Sequence, residues 1–405
     1  MAGGVGELGG AEPDLQALLE RGRSHLRIAV VHGGDSAQTG AVLARARNPR
    51  PWKSYSRVAE SIAETLNAAG FSVPLVCADD LHLIERLRRA DINFVWLNTA
   101  GMQGRAAMLH AAALMEMTGL GYLGHDPLNA GLLDHKHALK HVLRSLGIAT
   151  SPFILWHPDL AEDPCDTGVL ARHLGEPPLP VVAKPTCGRA SHNVFVCDTV
   201  AELREALGAI RAADSELAVI EPFLSGREYC VTVAGPTRVR GCVPESCDAP
   251  LILSPLQRRL EADERIFSSM DRRPIGTDRF RLLRDDDRDG DMLDQLSGLG
   301  RRMYAEVPLN SVVRVDVRCG GDGVPRVLEA NPKPDLAPPR TDGQTSLVCA
   351  GLAQAGMSYQ DLLLSLLLDR LRAIAAGHTS VSAATAQTLT GTPGTAGRGS
   401  TGNAG

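Results

Sequence analysis

Two alternating runs joined by a glycine-rich turn, at residues 312–318 and 324–331, restrict this chain more than any other segment. The first reads Val-Val-Arg-Val-Asp-Val-Arg, the turn Cys-Gly-Gly-Asp-Gly, and the second Val-Pro-Arg-Val-Leu-Glu-Ala-Asn. Successive side chains of a strand point to opposite faces. The pattern therefore predicts a hairpin with Arg314, Asp316 and Arg318 on one face of its first strand and Glu329 and Asn331 on one face of its second. Where those faces coincide, two carboxylates and an amide oxygen meet beside a cation. That donor set suits Mg²⁺, which takes hard oxygen ligands and keeps positions open for phosphate oxygens. The plainer alternative is a half-exposed ribbon with solvated charges.

Upstream of the hairpin the pattern alternates between strand and helix. An apolar run at residues 28–31 stops at Gly33-Gly34, a helical stripe over 57–69 carries Val58, Ile62 and Leu66, and residues 72–77 return to strand character. A second cycle places a strand at 92–97, a loop at 98–104 and an Ala-rich helix at 106–117 closed by Gly119. These cycles predict α/β structure with a largely parallel sheet. Helical stretches at 135–146 and 200–210 flank an apolar run at 179–183, with further strands expected at 195–196 and 217–220. A third unit starts near Tyr229, contains the hairpin and ends in a helix over 359–375.

The expected organisation is a loosely held arm at 1–25, in which 15–21 has helical character, and units at 26–133, 134–224 and 225–375. A tail at 376–405, almost entirely Ala, Gly, Ser and Thr, is expected to be disordered. At 405 residues, each unit is long enough to bury its own core. A net charge of −5 argues against holding nucleic acid through bulk charge. Nine cysteines at irregular spacing, with no secretory leader pattern, read as free thiols in the cytoplasm. The apolar run at 362–368 is broken by Asp369 and Arg370, far short of the roughly 20 residues a bilayer needs.

Three smaller constellations carry chemistry. Lys184 ends the apolar strand and precedes a polar loop whose backbone N–H groups can surround an anion. Glu221-Pro-Phe223-Leu224, with Glu228 four residues on, reads as a hinge offering backbone groups to a planar base and carboxylates to the amino and hydroxyl groups of a nucleoside. His135, His137 and His141 invite a zinc reading, but Lys136 among them opposes a dication and no fourth ligand is spaced to help, so a solvated or packing role is the better one.

Taken together, these segments resemble the ATP-grasp superfamily, and within it the D-alanine:D-alanine ligase-like branch. The landmarks run in family order: 30–34 (Val-Val-His-Gly-Gly), 121–124 (Gly-Tyr-Leu-Gly), 134–136 (Asp-His-Lys) followed by Lys140 and Gly147-Ile148, 182–185 (Val-Ala-Lys-Pro), 221–228, 314–316 and 328–331. The resemblance covers about residues 26–370. It implies an ATP-grasp fold of three domains, an N-terminal α/β domain and two α+β domains enclosing ATP, with an acceptor pocket shared with the N-terminal one. It further implies that Lys136 and Lys184 contact ATP phosphates and the adenine edge, that Glu221 and the backbone of Phe223 and Leu224 bind adenine, that Glu228 binds the ribose and that Leu328 packs under the base. Asp316, Glu329 and Asn331 would hold Mg²⁺, with Mn²⁺ as a substitute, and Arg314 would stabilise the phosphorylated intermediate. The implied chemistry is activation of a small-molecule carboxylate to an acyl phosphate, attack by an amine, and release of ADP and phosphate, by a cytoplasmic homodimer that touches neither nucleic acid nor membrane.

The chain also departs from that pattern. Residues 37–40 (Ala-Gln-Thr-Gly) lack the acid that follows the first Gly-Gly-x-Ser in the dipeptide ligases, and a basic stretch follows at 45–53. The family's His-Gly and Gly-Glu-Asp-Gly are replaced by Asn98-Thr99 and by residues 101–104 (Gly-Met-Gln-Gly). Arg189 and His192 enter the loop after Lys184, and Asp335 stands where a Gly is expected. ATP-handling parts are kept while substrate-reading parts differ, so a substrate other than D-alanine is expected, in specialised metabolism. A nucleotide-binding regulator or scaffold that has lost ligation is the competing reading. A nicotinamide oxidoreductase ranks last, because no G-x-G-x-x-G follows the first strand.

Overall fold

The computed structural model describes residues 14–33, 52–104, 106–159, 162–188, 191–213, 217–267, 275–286, 289–307 and 309–377, together with positions 385 and 389. Gly34, the departures at 37–40 and 45–51, and Arg189 lie outside the described residues.

Strands β1 (Arg27–His32), β2 (Ser72–Ala78), β3 (Phe94–Asn98) and β4 (Gly121–Leu123) form a parallel sheet in the order β2-β1-β3-β4. Alternation divides their side chains between two cores. Ile28, Val30, Phe94 and Trp96 face α1 (Leu15–His25), α2 (Trp52–Ala68) and the last helix, while Ala29, Val31 and Val95 face α3 (Leu83–Arg89) and α4 (Ala107–Thr118). Gly119, at φ 70°, ends α4 in the left-handed conformation that glycine adopts without strain. The chain leaves β1 to one side for β2 and returns to the other for β3. In open α/β sheets that reversal opens a crevice at the strands' carboxyl ends, where His32, Asn98 and Thr99 stand here.

Asp79, just past β2, is buried there and accepts a hydrogen bond from Thr99 Oγ1 at 2.9 Å. Burial pushes its carboxyl up to about 6, against a partial lowering by Thr99. A folded-state value above the unfolded one means that stability is full below about pH 4, declines as pH rises to about 6 and is level beyond. Asp79→Asn is therefore expected to raise the unfolding free energy at pH 7.5 by about 2–3 kcal/mol, and by much less at pH 4. Urea titrations at the two pH values measure the difference.

After α5 (Pro127–Asp134) and α6 (Lys136–Ser145), a second sheet contains β5 (Ile154–Trp156), β6 (Val181–Pro185), β7 (Phe195–Cys197) and β8 (Ala218–Pro222). It is antiparallel in the order β5-β8-β6-β7 and is backed by α7 (Thr167–Leu174) and α8 (Val200–Ala212). Thr199 and Glu202 close a capping box at the start of α8. The third sheet has the order β13-β12-β9-β14-β15, from β9 (Glu228–Ala234), β12 (Leu251–Arg258), β13 (Phe280–Leu282), β14 (Val313–Cys319) and β15 (Pro325–Asn331). A side ribbon pairs β10 (Thr237–Arg240) with β11 (Val243–Ser246). Helix α9 (Gly290–Glu306) packs on β9 and β12, close enough that a Cβ on Gly300 would stand 2.8 Å from Ile252 Cδ1.

The last helix, α10 (Tyr359–Ala375), crosses back to the first sheet, and its Leu363, Leu367 and Leu371 share a core with Leu18 and Leu19 of α1 and with Ile62 and Leu66 of α2. This corrects the loose arm expected over 1–25: from residue 14 onward the segment is a packed helix, capped by Asp14, because α10 supplies the apolar surface its Leu residues need. Two positions in the expected disordered tail also differ. Thr385 and Leu389 are buried, and Arg21 Nη1 donates to the Leu389 carbonyl at 2.8 Å. No helix among the described residues is long and apolar enough to cross a membrane. All nine cysteines are free thiols.

Candidate active site

The site lies in a crevice between the second and third sheets. Its acidic wall follows from strand register. Strand β14 lies between β9 and β15, which pairs Arg314 with Asn331 and Asp316 with Glu329, and sets Arg318 opposite Glu228 on β9. Beyond Asp316 the register slips, so that Val317 pairs with Val327 and Leu328 is the extra residue of a bulge. Strict alternation would send Leu328 and Glu329 to opposite faces; the bulge lets both line the crevice. On the other side of β9, Glu228 is paired with Arg258 of β12. Arg258, Glu228 and Arg318 thus form a cross-strand row, with Arg258 Nη1 2.7 Å from Glu228 Oε1 and Arg318 Nη1 3.5 Å from Glu228 Oε2.

The basic wall comes from the second sheet and α6. Lys136 is the first residue of α6; its backbone N–H donates to the Thr186 carbonyl at 2.8 Å, and its Nζ lies 3.2 Å from Glu329 Oε2. Lys184 on β6 is ion-paired with Glu221 on β8, and Lys140 Nζ lies 2.7 Å from the other oxygen of Glu221. Burial alone would raise the Glu221 carboxyl, yet Lys140 and Lys184 hold it below its ordinary value. Glu329 is likewise raised by burial and brought below its ordinary value by Lys136. Both acids therefore stay ionised in a nearly closed space.

Asp316 receives the most contacts. Arg314 donates from Nε at 2.8 Å and from Nη2 at 2.9 Å, Arg258 Nη2 lies 2.8 Å away, and Asn331 Nδ2 donates at 3.3 Å. Burial works to raise its carboxyl, and the two guanidinium groups overcome that and hold it well below the usual carboxylate range. The roof is formed by Gly188, Ser191 and His192 of the loop after Lys184, tied down where Ser191 Oγ donates to the Phe267 carbonyl at 3.0 Å. Phe267 stacks under Arg258, and Phe223 under Arg265 and Arg318, at 4.7–5.0 Å.

The structure brings every residue expected at the site to this one crevice: Arg314; Lys136, Lys184, Glu221, Phe223, Leu224, Glu228 and Leu328; and Asp316, Glu329 and Asn331. One detail narrows the expected base contact, since the Phe223 N–H is already given to the Pro180 carbonyl. Arg258, Phe267 and the site role of Lys140 were not foreseen. The donor set of two carboxylates and an amide oxygen is of the hard type that suits Mg²⁺. Among the described residues no group of three or more His, Cys, Asp or Glu side chains is placed to hold a metal ion. His137 and His141 instead touch through their Nε2 atoms at 3.0 Å beside Phe153.

A second cavity, of about 580 Å³, meets the crevice at Arg314, which lines both. One wall is the exposed face of α2, with Arg57, Glu60 and Glu64, and the other is the segment after β15, with Asp335, Arg340 and Ser346.

The family model described as D-ala D-ala ligase C-terminus matches residues 142–368. Protein y4sG of Sinorhizobium fredii is 27% identical over 362 residues, covering 84% of this chain and 95% of that protein. A D-alanine–D-alanine ligase of Stutzerimonas stutzeri is 28% identical over 349 residues, covering 86% and 95%. Among solved structures, the D-alanine–D-alanine ligase from Bacillus anthracis complexed with ATP superposes with a TM-score of 0.63 at 20% identity, over 86% of this chain and 98% of that one. The ligase from Coxiella burnetii does so at 0.59 and 17%, over 86% and 96%. The likeness to these structures is one of fold, the ATP-grasp fold.

Proposed function

The chain belongs to the ATP-grasp, D-Ala-D-Ala ligase-like family, and we propose that it is an ATP- and Mg²⁺-dependent carboxylate–amine ligase whose substrates are not a pair of D-alanines. The observation that carries this reading is the convergence of all the expected site residues on one crevice that opens, at Arg314, onto a second cavity.

When bound, ATP and Mg²⁺ supply the phosphoryl group and the charge neutralisation by which a carboxylate becomes an acyl phosphate, the electrophile for an amine. Asp316, Glu329 and Asn331 provide the oxygen ligands for the ion. Lys136 and Lys184 present ammonium groups to phosphate oxygens, and Arg314, at the junction of the two cavities, faces the charge that develops on the transferring group. Glu228 accepts from ribose hydroxyls, and Phe223, Leu224 and Leu328 enclose the base. The roof of Gly188, Ser191 and His192, held to Phe267 through Ser191, keeps water from an intermediate it would hydrolyse.

The second cavity supports the substrate part of the reading. Its volume of about 580 Å³ falls within the ~300–1,000 Å³ typical of pockets for ligands well above alanine in size. Its walls carry Glu60 and Glu64 one turn apart on α2, with Arg57 and Arg340 as cations. We infer a substrate larger than alanine with a cationic group besides the reacting amine. Formation of ADP should require an added carboxylate and an added amine together, and a panel of amino acids and acids with mass detection of the product identifies the pair. The double substitution Glu60→Gln, Glu64→Gln should raise the KM for the preferred amine at least about tenfold and leave the KM for ATP unchanged.

One observation favours the competing reading, a nucleotide-binding regulator or scaffold: two guanidinium groups already occupy Asp316. Nucleotide binding with no ADP release across the whole panel decides for it.

A further inference from the structure

A carboxylate that already accepts from two guanidinium groups has little to offer a dication, because its lone pairs are engaged and the neighbouring charges repel the ion. The two arginines on Asp316 differ in kind. Arg314 is two residues away on the same strand, grips both oxygens and faces the second cavity. Arg258 reaches Asp316 from β12 across the whole of β9. It spans two carboxylates, with Nη1 on Glu228 at 2.7 Å and Nη2 on Asp316 at 2.8 Å, while its guanidinium lies over the Phe267 ring.

Two further facts concern Arg258. Its side chain is 7% exposed, yet its Nε is buried without a hydrogen-bond acceptor, an expensive condition for a charged donor. It lines the crevice, which in this state has a volume of only about 110 Å³, below the ~300 Å³ at which pockets for larger ligands begin. A permanently charged fork with a spare donor, standing where a triphosphate must enter, is a seat for phosphate oxygen.

We propose that Arg258 is an exchange cation. In the free chain it occupies Asp316 in place of the divalent ion; when nucleotide enters, the guanidinium pivots on Glu228 toward a phosphate oxygen and releases the Asp316 carboxylate to the metal. Arg258 is thus a positioning residue that makes metal binding conditional on nucleotide. This rests on the nucleotide and metal part of the ligase reading and is independent of which substrates are joined.

The experiment titrates Mn²⁺ into the full chain, following free ion by electron paramagnetic resonance, with and without a non-hydrolysable ATP analogue whose own binding is measured by calorimetry. The wild type should bind Mn²⁺ at least tenfold more tightly with the analogue than without it. Arg258→Met should bind Mn²⁺ without nucleotide at least tenfold more tightly than the wild type, and the gain from the analogue should fall toward unity. Arg258→Lys, which cannot span both carboxylates, should shift the same way by a smaller factor, and thermal melts establish that the variant compared is folded. Wild-type Mn²⁺ affinity in folded Arg258→Met or Arg258→Lys, with the analogue still bound, overturns the exchange alone. No binding of the analogue to the wild type overturns the ligase reading and the exchange with it.

Discussion

Glu329→Gln is expected to lower ADP release by at least about 100-fold while the protein stays folded. The drop is of the size seen when one preorganised group is removed from a charge-stabilising site, about 10²–10³. The fold should survive because glutamine keeps the volume of the side chain and an oxygen for Lys136 Nζ, now 3.2 Å from the carboxylate. What is lost is the negative charge that holds both a metal ion and Lys136. A coupled ADP assay beside a thermal melt separates the two effects, and full turnover in a folded variant would remove Glu329 from the metal set.

Asp316→Asn should behave differently, although the two acids are register partners. Asp316 is 3% exposed and is the shared counter-charge of Arg258 and Arg314, both largely buried. An asparagine leaves two guanidinium groups with too little negative charge, and breaking a buried pair from one side costs about 3–5 kcal/mol. We expect a loss of stability of that order together with loss of activity. Because the arginines, working against burial, hold the Asp316 carboxyl below its ordinary value, its stabilisation is present above about pH 4 and fades as the carboxyl takes up its proton in acid. The gap between wild type and variant in urea melts should therefore be widest near neutrality and narrow toward low pH. A variant as stable as the wild type at pH 7 would show that the ion cluster is solvated.

The difference between these two acids was invisible in the sequence, where both appear as alternating residues of one hairpin. The hairpin itself was legible because its pairing is local: 312–318 and 324–331 flank a five-residue turn, and the strands run Val313–Cys319 and Pro325–Asn331. The last helix, expected over 359–375, spans Tyr359–Ala375, its capping box at Ser358 and Asp361 marking the start. Arg258 was not legible, because its contact depends on the sheet order β12-β9-β14, which no local pattern encodes, and its own strand loses alternation at a register shift between Leu253 and Leu256. The bulge that turns Leu328 inward has no sequence mark either. Helix α9 was missed because Gly298 and Gly300 interrupt its pattern, although Gly300 is what lets it approach Val233 and Ile252. The arm was misjudged because the surface that covers α1 lies more than 300 residues along the chain.

That long-range cover has a consequence for biosynthesis. One side of the first sheet, with Ile28, Val30, Phe94 and Trp96, is sealed in part by Leu363, Leu367 and Leu371. A nascent chain leaving the ribosome has made all four parallel strands by residue 123, yet it must wait for more than 200 further residues before that side is dry. The second sheet, whose own core includes no residue of α10, can mature first, whereas Ala234 of β9 and Leu251 and Leu253 of β12 belong to the cluster that α10 completes. Assembly then finishes where synthesis began, and during elongation the exposed apolar side with Phe94 and Trp96 is what a chaperone would meet.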